Sequence, residues 1–205
     1  MSVAAVVIGV AGAAASDHAL VASGTAALAG GALSMALGEY VSVSSQRDAQ
    51  TTLIAKERAE LEDDPEAELE ELTGLYQDRG LSYETARQVA VELTAHDALG
   101  AHLSAELNLS EEDVVSAGQA AAASAAAFLT GGLLPFLAIV LLPDAVRVPL
   151  TFVAVLLALA VTGFVSARFN RTPTLRPVLR LVVGGAVALA ATFAIGSLLG
   201  TTVGG

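Results

Sequence analysis

The chain contains no cysteine and no tryptophan, and only 15% of its residues are charged, where a soluble domain carries about a quarter. The missing thiol excludes disulfides, thiolate zinc sites and cysteine nucleophiles. The first residues lack the basic region and polar cleavage context of a signal peptide. No nucleophile motif, phosphate loop or dinucleotide fingerprint is present, so the expectation is a protein that is not an enzyme. A net charge of −11 gives nucleic acid no footing as a partner.

Over half of the residues are apolar, and the charge is confined. Between positions 44 and 118 there are 18 acidic and 5 basic residues, a net of −13, while the remainder carries a net of +2. The chain therefore reads as two phases, an apolar chain interrupted by an acidic insert. Residues 1–15 are apolar but reach only about 22 Å as a helix, short of a hydrocarbon core of about 30 Å. Predominantly apolar stretches with at most one charge each follow at 19–43, 114–142, 146–165 and 178–200. The expected fold is all-α: an integral membrane protein of five transmembrane helices, the first incomplete. A cytosolic helical domain lies between the second and third. The segments are 1–43, 44–113 and 114–205. Arg168, Arg171, Arg176 and Arg180 cluster between the last two spans, which puts that loop, the acidic insert and the N-terminus in the cytosol of a multi-pass cell-membrane protein.

The insert is helical in pattern. Asp64 and Pro65 make a helix start. Ser82 can cap a helix whose apolar face includes Ala86, Val89, Ala90 and Leu93. Ser110-Glu111-Glu112-Asp113 resembles a capping box that opens the third span. No Pro or Gly occurs from Gln46 to Leu61, so the second span is expected to continue into water as one long helix. Three short helices or helix extensions complete the insert.

Three constellations carry chemistry. Met35, Glu39, Ser42 and Gln46 share one face of the second span. Glu39 is the only acid in that run, and an intramembrane acid is by default a functional-site hypothesis. A thioether and a hydroxyl beside it can coordinate a cation. The alternative is a glutamate near the headgroups that snorkels into water or pairs with Arg47. A stripe of small residues, Gly30, Ser34 and Gly38, lies on the adjacent face and lets another helix approach, such as its own copy in a dimer. Gly196 and Gly200 repeat the spacing in the last span. In the insert, Glu57 with Glu60 and Glu68 with Glu71 form two carboxylate pairs. If they converge, oxygen donors without thiolate favour Mg, Ca, Mn or Fe(II); the alternative is a solvated acidic face. His18, His96 and His102 form no metal spacing, and His96-Asp97 reads as a polar pair at a helix end.

The run Gly31-Ala-Leu-Ser-Met-Ala-Leu-Gly-Glu-Tyr-Val-Ser-Val-Ser-Ser-Gln-Arg-Asp48 resembles the signature of the vacuolar iron transporter family. The resemblance continues through Pro65-Glu-Ala-Glu-Leu-Glu-Glu71, Tyr76-Gln-Asp-Arg-Gly-Leu81 and Glu106-Leu-Asn-Leu109, and it covers essentially the whole chain. It implies five membrane helices, a cytosolic metal-binding domain after the second, and a homodimer with an ion pathway between the first two helices of each subunit. It also implies movement of Fe(II), and often Mn(II), out of the cytosol in exchange for protons, with no permanent cofactor. Met35 and Glu39 match pathway positions, with Ser42 on the same face. Glu57, Glu60, Glu68 and Glu71 match four metal-ligand positions.

The chain departs from the family's pattern in the last helix of the insert. His102 stands for a Met, Leu103 occupies a Glu position, and Glu106 is kept. Imidazole serves Fe(II), Mn(II) or Zn(II). The family's first helix carries an Asn-Asp-Gly stretch, and this chain begins just after it, so the expectation is a bacterial member with a truncated start. The rival to transport is a membrane-anchored metal buffer or sensor; a structural scaffold without metal dependence is the third class.

Overall fold

The computed structural model describes residues 1–109 and 116–203. Among them every regular element is helical: α1 (Ser2–Gly12), α2 (Asp17–Asp63), α3 (Pro65–Asp78), α4 (Tyr83–His102), a π-helical turn (Leu103–Leu107), α5 (Ala117–Leu141), α6 (Asp144–Phe169) and α7 (Leu175–Val203). Four helices, α2, α5, α6 and α7, are long and apolar enough to cross a membrane, and α1 is a shorter apolar helix. The chain divides into two compact units: Met1–Leu37 with Ala121–Gly205, and Gly38–Ala120.

In the first unit α1 is central although it is short. Val3, Ala4, Val7 and Ile8 are all buried. Val3 and Val7 pack with Leu20 and Leu28 of α2 and Ile139 of α5, while Ala4 and Ile8 pack with Val155 of α6 and Leu189 of α7. Small residues set these approaches. A Cβ added at Gly196 of α7 would collide with the backbone of Gly9 in α1, and one at Gly200 would lie 2.7 Å from the Ala13 carbonyl oxygen. The Gly196/Gly200 repeat is thus the seat of α1. On α2, Gly24 faces the Phe136 ring and Gly31 the Phe128 ring, both of α5.

Polar contacts tie the helix starts together. Ser16 Oγ accepts from the Ala19 N–H at 3.3 Å at the start of α2. Arg147, in the first turns of α6, donates to Asp17 Oδ1 at 2.7 Å and also pairs with Asp144. The turn before α2 and the turn before α6 therefore lie on one face of the unit.

In the second unit, α2 runs unbroken to Asp63, as the absence of Pro and Gly from 46 to 61 implied. Asp64 then accepts from the Ala67 N–H at 3.1 Å with Pro65 at the first helical position. Ser82 caps α4 by accepting from Thr85, and Ala86 and Ala90 are buried. The capping box at 110–113 lies outside the described residues; α5 is opened by Ser116, whose Oγ accepts from Gln119 at 3.5 Å. The reading of His96-Asp97 as a pair at a helix end agrees with the structure: Asp97 is non-helical, with φ −159° and ψ 92°, and separates two helical stretches within α4.

Candidate metal centre

Three side chains that are far apart in sequence meet in the second unit. Glu57 comes from the extension of α2, Glu68 from the first turn of α3, and His102 from the end of α4. Their ligand atoms all lie within 4.8 Å of one another. His102 Nδ1 is 2.9 Å from Glu57 Oε1 and 3.5 Å from Glu68 Oε2. All three residues are buried, His102 completely and Glu57 to within 4%.

The electrostatics of the group are set by burial and by crowded carboxylates. Glu57 has its pKa raised to about 7, first by burial and then by the neighbouring carboxylates of Glu106, Glu68, Glu60 and Glu71. Glu68 is raised by burial and by Glu71, Glu60 and Glu106. Burial lowers His102, which keeps its imidazole neutral and its nitrogen lone pair available. Although Nδ1 and the Glu57 oxygen approach closely, the contact lacks hydrogen-bond geometry. Glu57 Oε1 and both ring nitrogens have no hydrogen-bond partner. Buried polar atoms without partners are costly, roughly 1–3 kcal/mol each, and they are rare in native interiors. A divalent cation accepting one donor from each of the three groups satisfies them together. Two carboxylates and one imidazole suit Fe(II), Mn(II) or Zn(II) better than Mg or Ca, which take oxygen.

The other residues singled out from sequence are placed as follows. Glu60, Glu71 and Glu106 lie outside the three-donor group, close enough to act on Glu57 through space. Glu60 is engaged with Lys56 at 2.8 Å. The structure thus brings together one carboxylate of each sequence pair, together with a histidine that spacing alone passed over. Leu103 is fully buried and gives no donor. Arg79, assigned no role from sequence, donates to the Ala105 carbonyl at 2.6 Å and anchors the turn that carries Glu106.

Met35, Glu39 and Ser42 lie at successive turns of α2 and are all exposed on the single chain, Met35 at 47%. A Cβ at Gly30 or Gly38 would meet nothing within 4 Å. Leu33, Leu37, Tyr40 and Val41 are also exposed, so this length of α2 has almost no cover. Further along, Tyr40, Ser44, Arg47, Asp48 and Thr51 line a cleft of about 920 Å³ completed by Ser116 and Gly118. Arg47 points to that cleft, and no ion pair joins it to Glu39 among the described residues.

Comparison with known proteins gives a consistent result. The family model described as the VIT family matches residues 1–197. A vacuolar iron transporter of Acanthamoeba castellanii is 42% identical over 180 residues, covering 84% of this chain and 67% of that protein. Vacuolar iron transporter 2 of Oryza sativa is 31% identical over 90% of this chain and 76% of its own length. Vacuolar iron transporter 1 of Arabidopsis thaliana is 30% identical over 93% and 78%. With four helices of spanning length, the chain is a membrane protein.

Proposed function

The chain belongs to the VIT family, and from that premise we propose that it is a divalent-metal carrier that moves Fe(II), Mn(II) or both out of the cytosol in exchange for protons. The observation that carries the reading is the buried Glu57–Glu68–His102 group with its orphaned donor atoms. The protein works as a homodimer in the cell membrane, with five membrane helices counting α1 and with the acidic unit in the cytosol. The net of −13 concentrates cations at the entrance. Glu57, Glu68 and His102 hold an ion there, in transit or as a regulatory store, with Glu60, Glu71 and Glu106 as the surrounding negative field.

Transport itself runs along α2. An acid left in lipid costs roughly 2.5–3.5 kcal/mol on insertion scales for aspartate. The exposed face of Glu39, beside the open Gly30 and Gly38 positions, is therefore the face that a second copy covers. There Glu39 takes a proton or a metal by turns, and exchange of one for the other gives antiport. Met35 supplies a soft neighbour that favours Fe(II) over Mg or Ca, and Ser42 supplies a hydroxyl oxygen.

Uptake into proteoliposomes, with Fe(II), Mn(II), Zn(II) and Ca(II) compared across an imposed pH gradient, tests this. The expected result is Fe(II) and Mn(II) flux that is driven by the proton gradient and collapses with it. Flux absent for every metal, with binding intact, would favour the rival, a membrane-anchored buffer or sensor. That reading draws on the same observation, because the three-donor group is complete within one chain.

A further inference from the structure

His102, which lies beside Glu57 and Glu68, follows a break in α4 five residues earlier. Asp97 has an extended backbone inside the helix, a conformation open to any residue, so what marks the position is its side chain. Asp97 Oδ1 accepts from the Gly100 N–H at 3.0 Å, the pattern of a cap that starts a new helix. A Cβ at Gly100 would collide with the same carboxylate. The restarted helix runs to His102 and passes into the π-helical turn. That turn is closed by Asn108 in the left-handed region at φ 50° and tied down by Arg79 through the Ala105 carbonyl. Sharp helix kinks exceed about 20°. Over the roughly 7.5 Å of rise from Asp97 to His102, straightening such a kink displaces the ring by roughly 2–3 Å. Metal ligands tolerate about 0.2 Å.

We propose that Asp97, through its cap on Gly100, is a positioning residue for His102: it breaks α4 at the place that delivers the imidazole to Glu57 and Glu68. The inference rests on the reading of that group as a divalent-metal site. Asp97 touches no ligand atom of the group and acts through the direction of the chain.

The test uses the purified full chain with Co(II) as probe, read by affinity and by the paramagnetically shifted NMR signal of a ligating imidazole. Asp97→Ala is expected to weaken Co(II) at least tenfold and to remove the imidazole signal. Asp97→Asn, which caps as well as aspartate, should keep both. In the His102→Ala background, Asp97→Ala should change affinity less than twofold, because the ligand it positions is already gone. If Asp97→Ala does not fold, Gly100→Ala replaces it, since its methyl drives the Asp97 carboxylate off the cap and should erase the same signal. Retention of wild-type affinity and signal in the cap variant, or losses at 97 and 102 that multiply in the double variant, would overturn the positioning role. Wild-type affinity in His102→Ala would instead remove the metal-site reading beneath it.

Discussion

Glu57 is the residue on which the chemistry of the acidic unit turns. Its folded pKa of about 7 lies above the ordinary value of 4.5. Its contribution to the stability of the ion-free protein is therefore complete below about pH 4.5 and lost as pH rises through about 7. Burial lowers His102 instead, so its contribution is present above about 6.5 and fades as pH falls through the lowered value. The two trends oppose each other, and a substitution separates them. Glu57→Gln imitates the protonated acid. It should stabilise the ion-free chain by about 3 kcal/mol at pH 8, at about 1.4 kcal/mol per pKa unit, and change little at pH 4. Thermal melts in detergent measure this. Ion binding follows the other sign: the cation must displace the Glu57 proton below about pH 7. Affinity for Mn(II) should rise about tenfold from pH 6 to 8 on release of one proton, with most of the rise below pH 7, then level off. Calorimetric titration across pH 6 to 8 reads it.

Among the elements, two stripes of small residues with the same spacing have different fates. On α7, Gly196 and Gly200 receive the backbone of α1, so Gly196→Leu forces backbone against backbone. That should cost at least the 1–3 kcal/mol of ordinary overpacking, visible as a lower melting temperature. On α2, Gly30 and Gly38 face open space. Gly30→Leu should leave the fold of one chain intact and dissociate the proposed dimer, as light scattering on purified protein would show. The α2 extension and the caps at Asp64 and Ser82 were legible in the sequence because each rests on local rules: absence of breakers, proline at the first turn, a hydroxyl before an apolar face. The central place of α1 was not, because a length criterion cannot see that Val3, Val7 and Ile8 are enclosed on several sides. His102 was equally hidden from spacing. Its partners lie on α2 and α3; the pair His96-Asp97 was legible as a helix end, but the restart of the helix beyond it toward His102 was not.

At the scale of the whole molecule, the proposed orientation rests on the distribution of charge. Arg147 meets Asp17 and Asp144, so the one basic residue on its side is neutralised locally and the arginines at 168, 171, 176 and 180 remain the dominant positive cluster. Because the chain has no cysteine, single-cysteine variants carry no background. A cysteine at 144 should react with an impermeant maleimide only from outside the cell, and one at 171 only after permeabilisation; the reverse pattern would invert the topology. The carrier account joins this orientation to a single acid on an uncovered helix face. The most direct test is Fe(II) uptake by proteoliposomes bearing Glu39→Gln protein, matched to wild type for folding and for Co(II) binding at the Glu57–Glu68–His102 group. The account predicts a loss of proton-driven flux of at least tenfold with binding unchanged; Fe(II) flux at the wild-type rate would contradict it.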